Sequence, residues 1–147
     1  MGTFGFEVFD DDMACDALAY VQSMDKPFEK FEQCFDSVLT EEYIDSEEAQ
    51  EALAYSMIMI AFIDMKKIDG RSDQQLGVPY RERVVDIEKK FKDQWASYDQ
   101  KPLVKKCIDA LERIKKPQVS ELYDLWNESD GIDGWYPVVD GIIADLS

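Results

Sequence analysis

Three aspartates near the start of the chain, Asp11-Asp12-x-x-x-Asp16, are its best arrangement for chemistry. Asp12 and Asp16 are four residues apart, so on a helix they share one face. Carboxylates paired in that way can hold Mg²⁺ for a metal-dependent enzyme. The same residues suit a helix start, where carboxylates accept from free N–H groups and complement the helix dipole. That second role asks less of the sequence, because no further aspartate cluster follows to complete a metal centre. Calcium is disfavoured as well. Neither Asp69-Gly70-Arg71-Ser72-Asp73 nor Ser129-Asp130-Gly131-Ile132-Asp133-Gly134 has the ligand order of an EF-hand loop.

The rest of the catalytic repertoire is thin. The 147 residues include no histidine, which removes the commonest general base, the usual zinc ligand and every Ser-His or Cys-His nucleophile pair. Cys15, Cys34 and Cys107 are odd in number and far apart. They fit buried thiols in a reducing compartment better than a disulfide framework or a zinc site. Gly-rich phosphate loops, G-x-S-x-G and H-E-x-x-H are absent.

A second constellation points to binding. The run Thr40-Glu41-Glu42-Tyr43-Ile44-Asp45-Ser46-Glu47-Glu48 sets five carboxylates around Tyr43 and Ile44, and Glu51 follows one turn later. As a binding edge, Tyr43 and Ile44 supply apolar anchors while Glu41, Glu42, Asp45, Glu47, Glu48 and Glu51 steer a basic partner. The competing reading is a solvated loop and helix cap.

The charge distribution favours such a partner. The chain has a formal net charge of −16, and residues 1–60 hold 15 acidic residues against two basic ones, Lys26 and Lys30. Residues 61–147 are nearly balanced, with Arg81, Arg83, Lys89, Lys90, Lys92 and others interleaved with Glu82, Asp86, Glu88 and Asp93. The field repels nucleic acid and anionic membranes and attracts basic proteins. No window approaches 18 uninterrupted apolar residues, and the opening MGTFGFEVFDDD lacks the basic and apolar regions of a secretory signal. A cytoplasmic protein is expected.

Helical periodicity runs through nearly the whole sequence. Residues 1–9 form a non-helical arm whose Phe4, Phe6 and Phe9 pack on the body. A first helix opens at Asp10–Asp12, and Pro27 starts a second with Phe28, Phe31, Phe35 and Val38 on one face. Asp45 caps a third, about 47–67, whose middle (Ala52 to Ile63) is apolar almost all round and belongs at the centre of a bundle. Residues 69–79 are the main internal loop. A fourth helix carries Val84, Ile87, Phe91 and Trp95, and a fifth starts at Pro102. A short sixth holds Leu122, Leu125 and Trp126, and a seventh runs from Trp135 to Leu146. Trp95, Trp126 and Trp135 are expected in the core. The predicted fold is a single all-α domain, residues 1–147, with six or seven helices.

Three blocks of sequence carry a family resemblance. The first is Met1-Gly2-Thr3-Phe4-Gly5-x-x-x-Phe9-Asp10-Asp11-Asp12-x-Ala14-x-Asp16. The second is Tyr43-Ile44-x-Ser46-Glu47-Glu48-Ala49-x-Glu51-Ala52-Leu53-Ala54. The third is Ser120-Glu121-Leu122-x-x-Leu125-Trp126-x-Glu128-Ser129, followed by Trp135 and a final amphipathic helix. Together these blocks resemble a bacterial family, the domain-of-unknown-function family 4259, and the chain departs from its pattern at Phe4, Phe6 and Asp11. The resemblance implies a bacterial cytosolic all-α domain and supplies no reaction.

The sequence therefore leads to a non-enzymatic acidic binding protein without a cofactor. Its most concrete form is an immunity protein or antitoxin that occludes a basic toxin or effector. A Mg²⁺-dependent enzyme built on Asp11, Asp12 and Asp16, and a self-associating structural or regulatory domain, are the alternatives.

Overall fold

Most helices open where a side-chain oxygen takes their free N–H groups. A 3-10 turn (Val8–Asp10) comes first, with the Glu7 N–H donating to Asp10 Oδ2 at 3.1 Å. Asp11 then caps α1 (Asp12–Gln22), accepting from the Ala14 N–H at 3.1 Å. α2 (Pro27–Thr40) starts on Pro27, whose missing N–H costs nothing in a first turn. Asp45 caps α3 (Ser46–Ile63) through the Glu48 N–H at 2.8 Å. Asp64 caps the short α4 (Met65–Asp69) through the Lys66 N–H at 3.1 Å. α5 (Val78–Ser97) and α6 (Gln100–Ile114) follow. Ser120 caps α7 (Glu121–Glu128), its Oγ accepting from the Tyr123 N–H at 3.2 Å, and α8 (Ile132–Leu146) closes the chain. The computed structural model describes residues 5–147, so the expected packing of Phe4 lies outside the described residues.

The result is a single all-α domain, as expected, with eight α-helices among the described residues rather than six or seven. The extra helix comes from Asp64. Its extended backbone (φ −159°, ψ 100°) ends α3, and its carboxylate starts α4, so the anticipated 47–67 helix divides there. The internal loop is also shorter than anticipated, because Pro79 occupies the first turn of α5 instead of preceding it.

α3 lies at the centre and packs against α1, α2, α5, α6, α7 and α8. Every residue from Ala52 to Ala61 is buried. Each large side chain there gains roughly 1.5–3 kcal/mol over exposure. Ser56, polar in this setting, donates to the Ala52 carbonyl at 2.6 Å and lies 3.1 Å from the Cys107 Sγ, so it is satisfied. Phe31 of α2 stacks on Tyr55 of α3 at 4.4 Å between centroids. Cys34, Cys107, Trp95, Trp126 and Trp135 are core residues, as expected, and Cys15 is half-buried. Burial pushes the Cys107 thiol up to about 12 and raises that of Cys34, which leaves both protonated at neutral pH.

Two rings of the arm lie against the body, although its end, Val8–Asp10, is a 3-10 turn rather than the expected non-helical stretch and Phe6 stays part-exposed. Phe9 is buried and stacks on Tyr80 at 5.4 Å, while the Phe6 ring sits 4.9 Å from that of Trp126. Glycine is required beneath them. A Cβ at Gly131 would stand 2.4 Å from the Trp126 ring, and one at Gly134 would stand 2.5 Å from that of Phe6.

The negative surface is not spread over the whole of residues 1–60. Lys106 of α6 bridges Glu32 (3.2 Å) and Asp36 (3.0 Å) of α2. Arg113 donates to the carbonyls of Val38 and Glu42, and Lys90 donates to that of Gln22 at 2.6 Å. Cations from the second half thus lie over α2 and its C-terminal end, and at the C-terminus of α1. Among the described residues Glu29 and Glu42 keep no ion pair there, and further uncompensated carboxylates lie along α1 and α3.

Candidate functional site, an acidic groove along α1 and α3

An isolated parallel bridge between Ile44 and Ser120 sets up the site. The Ile44 N–H donates to the Val119 carbonyl at 2.8 Å, and the Glu121 N–H donates to the Ile44 carbonyl at 2.9 Å. This pairing lays the start of α7 beside the start of α3. Glu121 then caps α3 from across the bundle, its Oε1 accepting from the Ser46 N–H at 2.8 Å. The Tyr43 hydroxyl adds a second tie, donating to Asp124 Oδ2 at 2.6 Å.

Three helix N-termini (those of α1, α3 and α7) meet as a consequence. They border a cleft of about 390 Å³ lined by Asp11, Asp12, Met13, Ser46, Glu47, Gln50, Glu121, Leu122 and Leu125. Met13 also lines a second hollow of about 340 Å³, with Asp16, Ala17, Tyr20, Lys30, Glu51 and Tyr55. The two hollows share that residue and lie one after the other along α1 and α3; together they are called the groove. Its carboxylates are Asp11, Asp12, Asp16, Glu47, Glu51 and Glu121. Lys30, 3.9 Å from Glu51, is the one cation among its described lining residues. Asp12, Asp16 and Glu47 are exposed, and their side chains have neither a hydrogen bond nor an ion pair among the described residues. Tyr20, at 70 % exposure, offers an aromatic contact at the far end.

The predicted binding residues are only partly brought together. Glu47 and Glu51 line the groove. Asp45 is spent on capping α3, Tyr43 is exposed but tied to α7, and Glu42 is exposed at the end of α2. Glu41 accepts from the Ser37 hydroxyl at 3.0 Å, close to Glu48. Ile44 corrects the expectation. It is wholly buried, a core residue rather than a surface anchor, because its backbone pairs with α7. The aspartates of the proposed Mg²⁺ site also separate. Asp11 is buried and committed to its helix, and among the described residues no three acidic or cysteine side chains come close enough to hold a metal ion. Sequence reasoning missed Gln50 and Glu121. Gln50 lies three residues after Glu47, at helical spacing, so its place on the same face was readable.

Burial raises the carboxyl pKa of Glu7, Asp11 and Glu48. For Asp11 the N–H groups of Ala14 and Met13 oppose the rise, and for Glu48 the neighbouring Glu41 adds to it. The folded state therefore holds these protons to higher pH than the unfolded chain does. Their contribution to stability is present below the ordinary carboxylate range and is lost as pH rises through the raised values. The net charge of −16 acts in the same direction. The midpoint of thermal unfolding, followed by circular dichroism, is expected to rise as pH falls from neutrality towards the ordinary carboxylate range, through the raised values of these groups. A midpoint that drops over that interval would contradict these assignments.

A family described as "Domain of unknown function (DUF4259)" matches residues 2–137. The chain belongs to this family. No curated protein and no solved structure matches it. The three sequence blocks that carry the DUF4259 resemblance are those that border the cleft, through Asp11 and Asp12, through Ser46 and Glu47, and through Glu121, Leu122 and Leu125. Among the described residues of this DUF4259 member, no helix is long and apolar enough to cross a membrane.

Proposed function

We propose that this DUF4259 chain is an acidic, non-enzymatic binding protein whose α1–α3 groove engages the cationic surface of a protein partner. The observation that carries the reading is the set of exposed carboxylates in the groove, Asp12, Asp16 and Glu47, which no intramolecular cation among the described residues offsets. The groove is otherwise well supported. Asp11, Asp45 and Ser120 fix its three helix ends, and α3 anchors its floor in the core. Rigid, pre-placed carboxylates steer encounter and set orientation at low reorganisation cost.

The most concrete version is a bacterial, cytoplasmic immunity protein or antitoxin. It would act by covering a basic substrate-binding surface of a toxin or effector, such as the nucleic-acid groove of a nuclease. Occlusion needs charge, shape and a small stable domain, and asks for no catalytic group of its own.

Capture from native lysate tests the reading, with the wild-type chain and the variant Asp12→Lys/Asp16→Lys/Glu47→Lys as parallel baits. One basic protein should be retained by the wild type at low salt, weakened at about 0.5 M salt where screening is strong, and absent from the variant. Equal retention by both baits would contradict the groove as the binding surface.

A further inference from the structure

We propose that the cleft where α1, α3 and α7 begin is an arginine-recognition site, which takes the guanidinium group of a partner protein's side chain. The proposal rests on the reading of the groove as a binding surface and names what enters its closed end. Gln50 carries it. This residue is only 6 % exposed, lines the cleft beside Glu47, and has a side-chain amide with no hydrogen-bond partner among the described residues. Asp11, Ser56 and Ser120, the other buried residues of polar type, are all partnered, whereas Trp126 Nε1 and Arg71 Nε are enclosed without a partner among the described residues. The Gln50 amide has no protein partner among the described residues and is not fully enclosed, so a ligand entering the cleft can hydrogen-bond it.

Magnitudes decide the sign of the ligand. Each helix N-terminus presents about half a positive charge, so the three together contribute about +1.5. The four carboxylates of the cleft, Asp11, Asp12, Glu47 and Glu121, outweigh them. The helix ends, which alone would favour an anion, are overruled, and the cleft attracts a cation.

Geometry decides its kind. The carboxylates stand on separate helices and do not close around a point, as the absence of any three-residue metal group among the described residues shows. Glu121 commits Oε1 to the Ser46 N–H, while Asp11 is held by the N–H groups of its own helix start. Acceptors spread around a wall suit a planar fork of five N–H donors better than a compact ammonium. The Gln50 carboxamide oxygen adds a neutral acceptor, and Leu122, Leu125 and Met13 offer an apolar side for the methylene stem.

The test is an NMR titration of the ¹⁵N-labelled full chain with N-acetyl-arginine amide and, separately, N-acetyl-lysine amide. The arginine compound should shift the Gln50 side-chain amide and the backbone of residues 46–51. It should bind at least about 10-fold tighter than the lysine compound. In Gln50→Met that ratio should fall to about 2-fold or less, with thermal stability retained because a buried thioether replaces a buried amide. In Glu47→Gln, an exposed change, both compounds should weaken together. Equal affinities confined to the groove would overturn the arginine site and leave the groove a general cation-binding surface. No shift with either compound would overturn the arginine site, while capture of a partner by the groove would stand or fall separately on the lysate experiment.

Discussion

Ile44→Ala is expected to destabilise the protein by about 2–4 kcal/mol, since the substitution leaves a cavity at a fully buried position. For a chain of this size that lowers the midpoint of thermal unfolding by on the order of 10 °C. The site makes the loss more than local. The Ile44 backbone holds the start of α7 through two hydrogen bonds, and Glu121 reaches the α3 N-terminus from there. Loosening the side chain should therefore raise amide exchange at Val119–Glu121 and at Ser46 together. Tyr43→Phe is the control. It removes one hydroxyl bond from an exposed ring and should cost less than about 1 kcal/mol. An Ile44→Ala protein as stable as the wild type would show that the α3–α7 junction is not held as described.

The second large effect falls on binding. Reversing Asp12, Asp16 and Glu47 to lysine moves the charge of the groove by six units while touching only exposed side chains. Close charge pairs across an interface are worth about 1.5–7 kcal/mol, and like-charge juxtaposition costs several more. Affinity for the partner should fall by about 100-fold or more at low salt. The gap between variant and wild type should narrow as salt rises. Stability should change far less. Asp12 and Glu47 stand in the first turns of α1 and α3, and their loss costs about 0.3–1 kcal/mol each through the helix dipole. Calorimetric titration at several salt concentrations separates these effects. A variant that binds within a few-fold of the wild type would place the partner elsewhere.

Local chemistry was legible in the sequence where it acts within one helix. The apolar middle of α3, the Phe28–Phe31–Phe35 face of α2, and the helix starts at Asp10–Asp12 and at Asp45 all follow from spacing and residue type. What was not legible depends on tertiary pairing. Ile44 sits in a run of carboxylates and looks like an exposed anchor until the chain around Ser120 returns to pair with it. Glu121 belongs to the nearly neutral half yet caps α3 and lines the acidic cleft. Charge counted along the chain put the negative face over all of residues 1–60. In the folded protein Lys106 lies against Glu32 and Asp36, while Asp12, Asp16 and Glu47 along α1 and α3 keep no ion pair among the described residues. Asp64 could be read from sequence as another acid of α3, but only its extended backbone shows that it ends one helix and caps the next.

The most direct test of the central claim is carboxyl footprinting of the protein free and in complex with its captured partner. Carbodiimide-driven labelling of each Asp and Glu would be read by mass spectrometry. The account predicts that the partner protects Asp12, Asp16, Glu47 and Glu51, while Glu82, Glu88 and Asp93 on α5 label equally in both states. Protection confined to α5, with the groove carboxylates labelled as fast as in the free protein, would contradict it.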